Sequence, residues 1–133
     1  MSPFRFIRWI EEGRPIQLFG DGTQSRDFTF VDDIARGTIL AAKPVGYEIV
    51  NLGGGNNPLS LHAVIALLEQ QIGRTAVVAG KPPHAADLKE TWADIAKAKR
   101  LFGWTPEVSP EEGFRRTVAW HQANRRWLNE IKF

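Results

Sequence analysis

Cysteine is absent from the 133 residues, which excludes disulfides, thiolate metal sites and thiol catalysis in this chain and points to a reducing compartment such as the cytoplasm. Long apolar runs are missing too. The longest lie in TILAA and AVIALL, far short of the roughly 20 residues that span a bilayer, and the N-terminus reads without a signal-peptide core, so no membrane partner is expected. No Walker A sequence, repeat or biased tract occurs, and Tyr47, the single tyrosine, has Asn51 four positions on, so no Tyr-x-x-x-Lys pair is available for proton transfer. His62, His84 and His121 are too scattered to read as a metal cluster. Charge of one sign is also lacking: seventeen Lys and Arg against fifteen Asp and Glu leave a net +2, spread along the chain, and nucleic acid is not an expected partner.

What is present alternates helices with short strands, the pattern of an α/β or α+β unit of about five helices. Ser2-Pro3 reads as an N-cap and first helical position, Phe6, Ile7 and Ile10 share a face over 3–12, and Gly13 stands where a left-handed residue ends a helix. Ile16 to Phe19 reads as a strand stopped by Gly20, and Phe28 to Val31 as a second one. Asp32 and Asp33 open a helix that Pro44 ends by Lys43, their charges suiting its positive end rather than forming a catalytic pair. Tyr47 to Leu52 is a β-prone run. Ser60 caps an amphipathic helix through Leu61, Val64, Ile65, Leu68 and Ile72, closed by Gly73. Ala76 to Ala79 predicts a short strand, and Lys81-Pro82-Pro83 a loop. Asp94 caps a helix ending at Gly103, and Ser109-Pro110-Glu111-Glu112 opens a last helix towards Trp127. Trp92, Trp104, Trp120 and Trp127 read as core.

The stretch GDGTQSRDFTFVDD, residues 20–33, holds the chemistry. Gly20 and Gly22 begin a G-x-G, but Ser25 stands at the third glycine and no helix follows, so this is no dinucleotide fingerprint; Gly53 and Gly55 fail likewise before Pro58. Arg26 has two readings on residue types alone. Its planar fork can meet phosphate oxygens beside a glycine-rich turn, or it can pair locally with Asp21 or Asp27.

FRFIRWIEEGRPIQLFGDGTQSRDFTFVDDIARG (Phe4 to Gly37), YEIVNLGGGNNPLSL (Tyr47 to Leu61) and TWADIAKAKRLFGWTPEVSPEEGFRRTVAW (Thr91 to Trp120) together resemble the C-terminal region of extended short-chain dehydrogenase/reductases, the NAD-dependent sugar-nucleotide epimerase/dehydratase family. UDP-glucose and UDP-glucuronate 4-epimerases look nearest. The resemblance implies that Phe19 borders the nucleotide base, that Arg26 contacts the diphosphate and that Leu59 packs near the base. It implies a phosphate-binding neighbourhood around His84 and Asp87 too, although Ala86 replaces the usual glycine and His84 a stronger cation.

The resemblance further implies that the Rossmann half, with its glycine fingerprint and catalytic Ser/Thr and Tyr-x-x-x-Lys residues, lies N-terminal to the part seen here. Residues 1–133 are then a single substrate-binding domain, and Tyr47 to Leu52 a strand of the absent sheet, covered by the Ser60 helix. A UDP-sugar, or a dTDP-sugar, is the expected ligand. The chain alone is expected to bind no cofactor and catalyse nothing, NAD belonging to the full-length enzyme. An unpaired strand edge invites a homo-oligomer or domain-swapped dimer. The alternative is a non-catalytic, self-associating interaction module, with the tryptophans and the Arg115-Arg116 and Arg125-Arg126 pairs at its interface.

Overall fold

The computed structural model describes residues 2–55, 57–128 and 130–131; the capping role read for the Ser2 side chain falls outside them. Helix α1 (Ser2–Glu12), α3 (Leu61–Ile72) and α5 (Pro110–Ala123) pack together, α3 lying against both others. The periodic apolar positions make this so: Phe6, Ile7 and Ile10 meet Val64, Ile65 and Leu68, with Phe114 and Val118 closing the cluster. The ends obey their capping chemistry. Ser60 accepts from the Ala63 N–H at 3.1 Å, Ser109 from that of Glu112 at 3.3 Å, and Gly13 and Gly73 sit at φ +69° and +73° where a side chain would be strained.

Two small sheets flank these helices. Strand β1 (Ile16–Phe19), with the boundaries its sequence implied, runs parallel to β4 (Val78–Lys81), Phe19 opposite Lys81. The other sheet centres on β2 (Ser25–Arg26), antiparallel to β3 (Leu59–Ser60) and parallel to β5 (Glu90–Thr91).

A second cluster joins α2 (Val31–Leu40) to α4 (Ala96–Phe102) through Ala98, Phe102 and the fully buried Trp104, with Val45, Val50 and Leu52 against them. Asp33 ties it down. Its carboxylate accepts from the backbone N–H groups of Glu107 (3.0 Å) and Val108 (2.9 Å) and from Arg36 (2.8 Å), while its carbonyl accepts from the Trp104 indole (3.0 Å).

Several expectations need correcting. Phe28 to Phe30 carry no strand and Val31 opens α2; the strand falls at Ser25–Arg26. Asp27 ends that ladder by accepting from the N–H groups of Gly54 and Ala93, both at 3.0 Å. Phe28 then turns its ring to Phe114, edge-on at 5.4 Å, so the alternation reflects packing on α5 rather than strand pairing. Within this chain the run 47–52 has no ladder partner among the described residues, the sheet that the resemblance gives it belonging to the absent half; here Val50 and Leu52 turn into the second cluster while Tyr47 stays 90% exposed. β4 lies two residues beyond the expected 76–79 and takes in Lys81, because the Ile16 N–H reaches the Val77 carbonyl (2.7 Å) and that of Gly20 the Lys81 carbonyl (3.0 Å). The last helix breaks at Asn124, whose side chain bonds back to the Trp120 carbonyl and accepts from Trp127, giving a separate α6 (Arg125–Leu128). Of the four tryptophans read as core, only Trp104 is buried; Trp92, Trp120 and Trp127 are about half exposed.

His121, on α5, is buried against the edge of Phe4 (5.2 Å), its Nδ1 3.2 Å from Glu11, a carboxylate that also pairs with Arg125 at 2.6 Å. Burial pushes the imidazole below its ordinary pKa, Glu11 opposing and Arg125 and Arg8 reinforcing the shift. The unfolded chain therefore binds the proton more readily than the folded one, so stability is full above pH 6.5 and falls as pH drops below it. We expect the melting temperature to fall between pH 7 and pH 5, and the fall to shrink in His121→Asn. An equal fall in both proteins would assign the acid loss elsewhere.

Candidate nucleotide-sugar site

Arg26 is held by its backbone on both sides, between Leu59 of β3 and Thr91 of β5. Two flanking ladders fix where its side chain starts. The guanidinium donates to the Ser25 carbonyl at 2.6 Å and forms an ion pair with Asp87, so its local partner is neither Asp21 nor Asp27. Asp27 is occupied as the fastener of Gly54 and Ala93, and Asp21 as a turn acceptor for the hydroxyl (2.6 Å) and N–H (3.0 Å) of Thr23. Those bonds from Thr23 hold the Asp21 carboxyl below its ordinary pKa.

The turn between β1 and β2 is shaped by its glycines. Gly20 and Gly22 adopt φ +77° and +78°, and the His62 ring reaches across to the Asp21 carbonyl at 2.6 Å. Gln24 folds back to donate to the Phe19 carbonyl at 2.6 Å. Phe19, the last residue of β1, is 50% exposed, an uncommon setting for so large an apolar ring at a strand end.

Phe19, Gln24 and Asp87 form a wall shared by two open clefts. One, of about 520 Å³, runs from Phe19 and Gly20 to Lys81, His84 and Lys89. The other, of about 540 Å³, is bounded by Arg5, Trp9 and Leu61. His84 helps present Asp87, its carbonyl accepting the Asp87 N–H at 2.9 Å. Chemically, the first cleft offers an exposed aromatic face and two lysines beside an arginine already engaged by a carboxylate.

Three of the residues singled out in the sequence, Phe19, His84 and Asp87, line one cleft; Arg26 lines neither cleft and connects to the first through its ion pair with Asp87. Leu59 is not in either cleft; it sits on β3, half-buried against the α1–α3–α5 core. Lys81, Lys89, Gln24 and Arg5 were not singled out. Lys81 reaches the site only through the β1–β4 register, for which the sequence carries no local signal.

Residues 3–53 match the NAD dependent epimerase/dehydratase family. A UDP-glucuronate 4-epimerase of Thermodesulfobacterium geofontis is 58% identical over 132 residues, 99% of this chain but 41% of that protein. Among solved structures, the Bacillus cereus UDP-glucuronic acid 4-epimerase in complex with UDP-glucuronic acid and NAD superimposes with a TM-score of 0.85 at 35% identity, covering 92% of this chain and 40% of its own. A Thermotoga maritima UDP-glucose 4-epimerase with UDP-glucose gives 0.85 at 31% identity, covering 91% of this chain and 39% of that one. The fold is therefore that of extended short-chain dehydrogenase/reductases. Over nearly its whole length the chain is similar to proteins of the NAD dependent epimerase/dehydratase family; it spans about two fifths of the length of the relatives it matches, an extent that fits their C-terminal part.

Proposed function

We propose that residues 1–133 form the substrate-holding domain of an NAD-dependent UDP-sugar epimerase or dehydratase of the cytoplasm, and that this domain grips the nucleotide end of a UDP-sugar. Phe19 supplies the face bordering the base and Arg26 the cation for the diphosphate, with His84 and Asp87 at the rim; Leu59, which the resemblance puts near the base, acts from outside the clefts by pairing with the strand of Arg26. The observation that carries this reading is an exposed aromatic face on a cleft whose Asp87 is ion-paired to a backbone-pinned arginine, in a chain whose relatives hold UDP-sugars.

The residues present do not fit the cofactor's pyrophosphate. Gly20 and Gly22 turn the chain from β1 into β2, not into a helix N-terminus, and a side chain at Gly53 or Gly54 would run into Ala93 or Asp27, so those glycines serve internal packing. We therefore place NAD, and the hydride transfer it supplies, outside these residues. The chain alone should neither reduce NAD nor epimerise a UDP-sugar; either activity in the purified chain would overturn the assignment.

Binding can be tested directly. A diphosphate gripped mainly by one arginine, only 27% exposed and already paired with Asp87, should bind at about millimolar strength, about 4 kcal/mol. In an NMR titration UDP should shift the signals of residues 19–26 and 81–89, and Arg26→Ala should weaken binding at least about fivefold, since a hydrogen bond to a charged group contributes about 1.5–3 kcal/mol when shielded and less when wet. Identical titrations of the two proteins would remove Arg26 from the site.

One observation favours a second reading, a self-associating module without catalysis. Val31, Ile39, Tyr47, Ile49 and Trp92 are all exposed, apolar surface that association between copies would cover. A light-scattering mass of one 15.0 kDa chain at high concentration would count against it.

A further inference from the structure

We infer that Asp87 is an internal counter-ion for Arg26, holding the guanidinium at the edge of the cleft and surrendering it to an incoming diphosphate. This rests on the nucleotide-gripping role proposed above for Arg26, and it makes Asp87 a positioning residue rather than a ligand contact. Arg26 has one planar fork, and its described bonds already engage it: one nitrogen donates to the Ser25 carbonyl and another pairs with Asp87. A phosphate that takes the fork with the usual paired geometry must use the same N–H groups. Two anions then compete for one cation.

The two partners differ in mobility in the way such an exchange requires. Arg26 is anchored by ladders on both sides. Asp87 sits on a stretch, residues 81–90, that is exposed at every position, and its own N–H is held only by the nearby His84 carbonyl. The carboxylate is therefore the member that can swing away. The pair is wet enough for exchange, with 27% of the Arg26 side chain and 37% of the Asp87 side chain exposed. Asp87 also lines both clefts, so its negative charge opposes any anion that enters either. Glu90 adds a second carboxylate close by, accepting from the Ser25 hydroxyl at 3.3 Å, which makes the unliganded Arg26 surroundings more acidic than a phosphate site needs to be.

The test titrates the wild-type chain, Asp87→Asn and Asp87→Glu by NMR with inorganic pyrophosphate and with UDP, using uridine as the phosphate-free control. Removing an exposed carboxylate partner should tighten pyrophosphate and UDP binding in Asp87→Asn about two- to fivefold, about 0.4–1 kcal/mol at 1.4 kcal/mol per tenfold. Asp87→Glu should return the wild-type affinity, and uridine should bind all three alike. Pyrophosphate binding that is unchanged or weaker in Asp87→Asn overturns the counter-ion role while leaving the nucleotide site standing. No response to UDP or pyrophosphate in any of the three removes the nucleotide site and the counter-ion role with it. An unshifted Trp104 indole signal shows that the fold of each variant is intact.

Discussion

Asp33→Ala should lower the unfolding free energy by about 3 kcal/mol and the melting temperature by about 10 °C, the first figure following from the groups it leaves behind and the second from the size of the chain. Asp33 is only 2% exposed and accepts three donors, from Glu107, Val108 and Arg36. Alanine removes the acceptor of two part-buried backbone N–H groups, at about 1–3 kcal/mol each and towards the low end because Glu107 is exposed, while Arg36 keeps the Thr105 carbonyl and Glu107 and adds little. Asp33→Asn keeps one acceptor oxygen and should lose about half as much. The pH dependence has a definite sign. Burial on its own raises the Asp33 pKa, but the bonds from Arg36, Val108 and Glu107 outweigh it and the net shift is downward. The stabilisation is therefore present above the ordinary carboxylate range and is lost as pH falls through the lowered folded value, below about 4. Asp32, two-thirds exposed and paired loosely with Arg116 at 3.5 Å, is the control: its alanine variant should lose no more than about 0.5 kcal/mol. Equal losses at 32 and 33 would return both acids to a simple helix-start role.

That contrast shows where sequence reading stops. Adjacent acids before an apolar stretch announce a helix start, and α2 does begin there, but which of the two turns inward depends on residues 104–108 far along the chain. Local chemistry was legible wherever the cause was local: the span of β1, the Ser60 and Ser109 caps, the glycine stops at 13, 73 and 103, and the buried face of α3. The Ser109 cap is half of the capping box that Ser109-Pro110-Glu111-Glu112 spells, in which Glu112 would return a bond to the Ser109 N–H. Glu112 does not reach back to Ser109 but takes Arg115 and Arg116, which hold its carboxyl down to about 2.

Pairing across distance was not legible. Strands β2, β3 and β5 are two residues each, too short for any alternation to register, and exist because each completes a ladder with the others. The same limit applies to the candidate site. Phe19, Arg26, His84 and Asp87 could be singled out through a family resemblance, whereas Lys81 enters through the β1–β4 register alone. The half-exposed tryptophans miss for another reason: helical spacing specifies a shared face but not whether that face is covered. Trp120 and Trp127 meet each other edge-on at 5.8 Å rather than entering the core.

Leu68→Ala carries the other large expected effect, a loss of about 3–4 kcal/mol, because a fully buried leucine between three helices is truncated where little can collapse into the space. Its neighbours Val64 and Ile65 are held from the opposite side by α1 and α5. Leu67, one position earlier and half-buried at the margin of the same cluster, should lose less than half as much on the same change. The consequence extends to the site. Leu59 and Leu61 rest on this core while Leu59 pairs with Arg26, so a loosened core should also loosen the strand that pins the arginine. Amide hydrogen exchange at Arg26 should then speed up in Leu68→Ala, whereas in Asp33→Ala, which acts on the other cluster, it should change only as far as global stability falls. If Leu68→Ala leaves Arg26 exchange at the wild-type rate under native conditions, the helical core and the arginine strand open independently, and the backbone pinning of Arg26 owes nothing to the helices beneath it.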